Sequence, residues 1–155
     1  MGKTGLHPND NYKQIYKFYM KVLFIYSREF SYNPTEKTVD FADEVKENGQ
    51  FKEIQTAFVQ VEEKDEEEET KVAKKLLKNL KWIANKNQTK KILLHSFAHL
   101  SESKASPEFT QEFLNNLENR LSNSGYEVSQ TPFGYFLDLN INAPGFSLAR
   151  VFKSF

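Results

Sequence analysis

A chain of 155 residues, 39% hydrophobic and 27% charged, is long enough for one sizeable core and has the composition of a globular domain. Its 21 basic and 21 acidic side chains cancel, so no bulk charge draws it toward nucleic acid or an anionic membrane, and any RNA contact needs a local patch. There is no cysteine, which excludes disulfides, thiol catalysis and cysteine-type zinc sites; with three histidines, neither a metal nor a cofactor is expected. No apolar run approaches the roughly 20 residues of a membrane-spanning helix, and the first residues lack the apolar stretch of a signal peptide. The expectation is a cytoplasmic protein without a membrane partner.

Residues 1–19 are polar, carry His7, and read as an extension, disordered or non-native, with Met20 a candidate initiator; residues 20–155 read as the domain. Val22 to Ile25, within MKVLFIYS, is an apolar run of strand formers, expected to be buried on both faces. Residues 30–50, with Pro34 and Asn48-Gly49, read as loop with one short helix. FKEIQTAFVQVEE (51–63) alternates at Ile54, Thr56 and Phe58 and predicts a strand. EEKDEEEE (62–69) reads as a solvated loop leading into a helix whose positive dipole end suits acids. In that helix Val72, Leu76, Leu77, Leu80 and Ile83 form the buried stripe, and Lys71, Lys74, Lys75, Lys78 and Lys81 fill the other face.

KILLHSF (91–97) predicts a second, central strand, with His95 inside it as a core or edge residue. A second helix is well punctuated. Ser106 is its cap, Pro107 its first residue and Gly125 its stop, and Phe109, Phe113, Leu117 and Leu121 are its buried face. Two strands flank the Thr131-Pro132-Phe133-Gly134 step, the second alternating through Tyr135, Leu137, Leu139 and Ile141. The last ten residues fit a short strand or helix. This order predicts a single α/β domain, a mixed sheet covered by two main helices.

Generic catalytic motifs are absent: no G-x-G-x-x-G, P-loop, G-x-S-x-G or H-E-x-x-H. His99 is the one lone candidate, just past the carboxyl end of a predicted central strand, where α/β folds place ligands. A single histidine there is more often hydrogen-bonded structure than chemistry.

Four segments narrow the choice. KVLFIYS, AFVQVEE, SFAHLSESKASPE and GYEVSQTPFGYFLDL, in this order and spacing, resemble the archaeal threonyl-tRNA synthetase N-terminal editing domain. The resemblance implies a fold like the D-aminoacyl-tRNA deacylases, a homodimer, and removal of serine mischarged on threonine tRNA. Its partners would be the tRNA 3′ end (an aminoacyl-adenosine) and a catalytic synthetase domain in cis or trans. The physics suits such a task. Serine lacks one methyl of threonine, a difference worth only about 1–3 kcal/mol of discrimination, so a second, hydrolytic site is needed. An aminoacyl ester is already activated, and positioning with polarisation can supply much of the rate.

Carried over residue by residue, the resemblance makes His99 the pocket histidine. It makes Ser27, Val61, Phe97, Ala98, Gly134, Tyr135, Phe136 and Leu137 substrate-binding positions, with backbone groups at Val61 and Ala98 reading the amino acid. Departures fall on the charged groups. Leu137 stands where the family has a lysine, and Arg150, a substitute charge, where it has a glutamate. Tyr26 and Arg28 replace a histidine and an aspartate around Ser27, Ser96 replaces a proline, and Phe136 a tyrosine. The expected function is therefore editing with a remodelled pocket. The alternative is a non-catalytic homologue that binds tRNA, nucleotide or a synthetase partner.

Overall fold

The computed structural model describes residues 19–155; the extension expected over residues 1–19 lies, Tyr19 excepted, outside the described residues. The strands are β1 (Lys21–Lys37), β2 (Gly49–Gln60), β3 (Lys91–Ser96), β4 (Glu127–Gln130), β5 (Tyr135–Asn142) and β6 (Arg150–Ser154). The helices are α1 (Glu69–Lys86) and α2 (Pro107–Asn123), and single 3-10 turns stand at Glu63–Glu66 and Ser147–Ala149.

The sheet runs β4-β3-β2-β1-β5, with β6 also on β1. β2–β3 and β3–β4 are parallel and the pairs made by β1 are antiparallel, so the sheet is mixed. Two successive parallel crossovers stepping in one direction put both helices on the same face, because such crossovers are right-handed. That face holds the main core: Val22 and Phe24 of β1, Ala57 and Val59 of β2, Ile92 and Leu94 of β3, against Leu76, Leu80 and Ile83 of α1 and Phe113, Leu117 and Leu121 of α2. Each fully buried leucine or isoleucine there contributes about 1.5–3 kcal/mol. The α1 stripe and the α2 punctuation read from the sequence are those observed: the Ser106 hydroxyl accepts from Phe109 N–H at 3.2 Å, and Gly125 takes φ 92°. The α2 stripe differs in that Leu114 is buried and Phe109 only half-buried.

The opposite face has no helix. It carries Leu23, Ile25, Ile54, Phe58 and Leu93, and β1 itself folds back over it. Phe30 lies seven residues beyond Leu23, the partner of Phe58, yet its ring is 6.4 Å from Phe58 and 6.5 Å from His95. The bend falls at Arg28, opposite Glu53, whose φ of 50° is left-handed.

Three expectations are corrected. Residues 30–37 are strand, not loop, and no helix follows; a turn at 39–42 leads to β2. Pro34 is tolerated because β2 ends opposite Tyr32, so beyond it β1 pairs on one edge only, with β5, where a bulge falls between Pro34 and Glu36. β2 is buried continuously from Ile54 to Gln60 rather than alternately, since helices cover one face and folded-back β1 the other. The acidic run is not wholly solvated: Glu62 and Asp65 have no exposed surface.

Candidate functional site

The F-A-H-L-S loop leaves β3 at its carboxyl end and is tied to the end of β2. Phe97 N–H donates to Val59 O (3.0 Å) and Ala105 N–H to Val61 O (2.9 Å). Between them the Gln60 amide, 1% exposed, holds the loop. Its nitrogen donates to Ser101 O (2.9 Å) and Ser103 O (2.8 Å), and its oxygen accepts from Leu100 N–H. The parallel β2–β3 ladder ends at the Val59–Ser96 pair, so Val61, Phe97, Ala98 and His99 share the carboxyl ends of two parallel strands. Ala98 and His99 are exposed, and among the described residues neither spends its backbone N–H on a protein acceptor.

His99 is supported by rings. Its imidazole stands edge-on to Phe97, centroids 5.0 Å apart; Phe97 meets Phe58 at 5.3 Å and His95 at 5.9 Å. His95 is buried and paired through Nδ1 with Thr131 Oγ1 at 2.8 Å. Burial, with a smaller contribution from His99, pushes its pKa down to about 4, so it is a neutral polar plug at neutral pH.

Thr131 carries the second segment to this end of the fold. Its N–H donates to Leu94 O (3.1 Å), and Gly134 is three residues on, at most about 11 Å away along the chain. The P-F-G-Y segment then docks on the 38–45 turn. Thr38 N–H donates to Gly134 O (2.7 Å), Phe133 stacks on Phe41, and the Tyr135 hydroxyl donates to Asp43 O (2.8 Å) and accepts from Val45 N–H (3.1 Å). Gly134 takes φ 80°, and a Cβ there would strike Val39 and Ala42. Phe136 is 56% exposed, while Leu137 is half-buried opposite Pro34.

Ser27 and Arg150 form a third group. On the β1 edge, β6 pairing stops at Ile25–Arg150 and β5 pairing begins at Glu29–Asn142, leaving Tyr26, Ser27 and Arg28 in the gap. Ser27 is fully buried with its hydroxyl 3.4 Å from Thr56 Oγ1; Arg150 is exposed. Tyr26 donates to Glu53, and burial first, then that bond, pushes its pKa up to about 12, so it stays a neutral phenol. Within one chain, then, the Phe97–His99 loop and the P-F-G-Y segment are linked through Thr131, and no hydrogen bond or ring contact ties the side chain of Ser27 or Arg150 to them among the described residues.

Sequence reasoning missed Gln60 and the pair Glu62 and Asp65. Asp65 accepts from Met20 N–H (3.1 Å) and Glu62 N–H (2.7 Å), and Glu62 pairs with Lys21. The signal for Gln60 was present: one amide inside the apolar run AFVQV needs buried partners. The two acids had no signal distinguishing them from their solvated neighbours.

Comparison with known proteins gives concordant results. Residues 20–155 match the profile of the archaea-specific editing domain of threonyl-tRNA synthetase. The threonine–tRNA ligase of Thermococcus sibiricus is 31% identical over 138 residues, which are 87% of this chain and 22% of that protein. That of Methanococcus vannielii is 33% identical over 132 residues, 85% of this chain and 21% of that protein. The chain thus spans about a fifth of the length of the curated relatives it matches. A solved structure, the c-Myc DNA Unwinding Element Binding Protein, superposes with a TM-score of 0.65 at 12% identity, covering 86% of this chain and 97% of that one, and identifies the fold as D-aminoacyl-tRNA deacylase-like. With the profile running through both the F-A-H-L-S and P-F-G-Y segments, this chain belongs to the family of the archaea-specific editing domain of threonyl-tRNA synthetase.

Proposed function

We propose that this domain hydrolyses the ester of serine mischarged on threonine tRNA, in a pocket remodelled relative to its family. One observation carries the reading: the loop bearing Ala98 and His99 is locked to the carboxyl ends of β2 and β3 by the buried Gln60 amide, with the Ala98 and His99 N–H groups unspent. Unspent backbone donors on a fixed loop are what a site needs to hold an aminoacyl carbonyl and polarise it. His99 orients the 3′-terminal adenosine or the attacking water. Val61 and Phe97 bound the amino-acid side chain, and Gly134, Tyr135, Phe136 and Leu137 form the facing wall. Ser27 backs the gap beside Arg150, and Arg150 supplies a permanent positive charge, which clamps oxygen but cannot act as a base.

The domain works in the cytoplasm as a homodimer, in cis or in trans with a catalytic synthetase domain. Exposed Phe136 and Phe152 favour a partner copy. Leu137 favours the competing reading, a non-catalytic homologue, since losing a lysine that positions water can cost several powers of ten.

Incubation of the domain with serine-charged and threonine-charged threonine tRNA separates the two. Release of serine well above the buffer rate, with threonine spared, is expected; release at the buffer rate alone sinks the hydrolase. His99→Ala should lower serine release by about 10²–10⁴-fold if His99 handles a proton, and by less if it only binds.

A further inference from the structure

We propose that the exposed face of α1 is an RNA-backbone stripe, and that the body of a tRNA whose 3′ end enters the site lies along it. That the RNA is a tRNA rests on the function proposed above; that the ligand is an RNA backbone rests on the face itself.

The zero net charge hides a sharp segregation. Residues 62–69 hold seven carboxylates and one lysine, whereas from Thr70 to Ser101 there are eight lysines and no carboxylate. On α1, Lys71, Lys74, Lys75, Lys78, Lys81 and Lys86 fall within about 140° of arc, opposite the buried stripe. All but half-buried Lys81 are exposed, and none has an ion-pair partner among the described residues.

A merely solvated helix face mixes signs, because i,i+3 and i,i+4 pairs of opposite charge support the helix and like pairs oppose it. Within Glu69–Lys86 this face has five like-charge pairs at those spacings and no opposite one; the acids Glu67 and Glu68 stand just before the helix. In its midst stands Trp82, 40% exposed, with the Lys153 ammonium of β6 5.7 Å from the ring. An exposed indole among cations is suited to stack on a base while the ammonium groups meet phosphates.

Position fits as well. The 3-10 turn just before α1 touches the region that follows the His99 loop: Glu63 N–H donates to Ser103 Oγ and the Ser106 hydroxyl donates to Glu66, each at 3.2 Å. From there Lys71 to Lys86 runs about 22 Å away from the candidate site. The acidic turn marks the near end, so RNA engages from Lys71 onward.

The test uses the full chain and an uncharged threonine tRNA transcript, followed by anisotropy from 50 to 300 mM salt. Neutralising Lys74, Lys75 and Lys78 together to Gln should weaken binding about tenfold or more at the lowest salt. It should also reduce the slope of log affinity against log salt by about 2, at roughly 0.7–0.9 per phosphate contact. Trp82→Ala should weaken binding with the slope unchanged. Unaltered affinity and slope in a triple variant of native circular dichroism overturns the proposal, as does a wild type that binds anionic vesicles but not RNA. A stripe-dependent binder that releases no serine sinks the hydrolase reading alone. A domain that releases serine with the same KM in the triple variant sinks the stripe alone.

Discussion

His95 and His99 are four residues apart and have opposite circumstances. His95 is buried, hydrogen-bonded to Thr131 and held neutral by desolvation, whereas His99 is exposed with the Phe97 ring beside it. In the proposed hydrolysis, any role for an imidazole falls to His99. The residue that decides where His99 stands is Gln60. Gln60→Ala would strand one N–H and two carbonyls, at about 1–3 kcal/mol for a buried unpaired group. The expected result is faster hydrogen exchange at Leu100 and higher KM, with exchange in the α1 core unchanged. Gln60→Glu should be worse than alanine, since a carboxylate would face the Ser101 and Ser103 carbonyls. Equal exchange at Leu100 in wild type and both variants would show that the amide does not fix the loop.

Elements were legible where period and punctuation agreed. α1 and α2 were read nearly to their ends, because apolar stripes at helical spacing and a Ser-Pro cap leave little else for those segments to be. β1 was not. Beyond Tyr26 its apolar positions change face at the bend, so Leu23 and Ile25 and then Phe30 and Tyr32 pack in one cluster although their parity differs. A period-2 reading fails across such a break, and Pro34 then looks like a loop signal although it sits where one edge needs no donor. Two glycines hold this folded-back half in place. Gly49 lies under the Tyr32 ring, and Gly134 combines positive φ with contact to Val39 and Ala42. Gly134→Ala should destabilise by about 1–3 kcal/mol in urea unfolding. Gly49→Ala should cost a similar amount, recovered in part when Tyr32→Ala removes the obstructing ring; no recovery in the double variant would refute the contact.

Across the whole molecule, two buried titrating groups work against each other. Burial raises the Asp65 pKa to about 6, so its contribution to stability is complete below its ordinary value near 4 and is lost as pH rises through about 6. His95, lowered to about 4, contributes stability that is complete above its ordinary value near 6.5 and lost as pH falls through about 4. Each swing is at most on the order of 3 kcal/mol, and over pH 4 to 6.5 they oppose. Asp65→Asn should leave a domain that gains stability as pH rises through this window, and His95→Gln one that loses it. Parallel urea midpoints for both variants at pH 4.5 and 7 would disprove the opposition.

The candidate site was suggested only by the family resemblance. Composition gave one lone histidine, and the hydrogen bonds that seat its loop run between segments some 40 residues apart, which no local pattern records. Ser27 and Arg150 come to the same stretch of β1 only because β6 and β5 divide one edge of that strand.

The indole on α1 has a further use. It is the chain's only tryptophan, and the other aromatic residues are seven tyrosines and fourteen phenylalanines. Emission excited at wavelengths that tyrosine does not absorb therefore comes from that one face, half in water and beside the Lys153 ammonium. Anything that settles on the face alters that light without a label, and anything that binds only at the far end of the sheet leaves it unchanged.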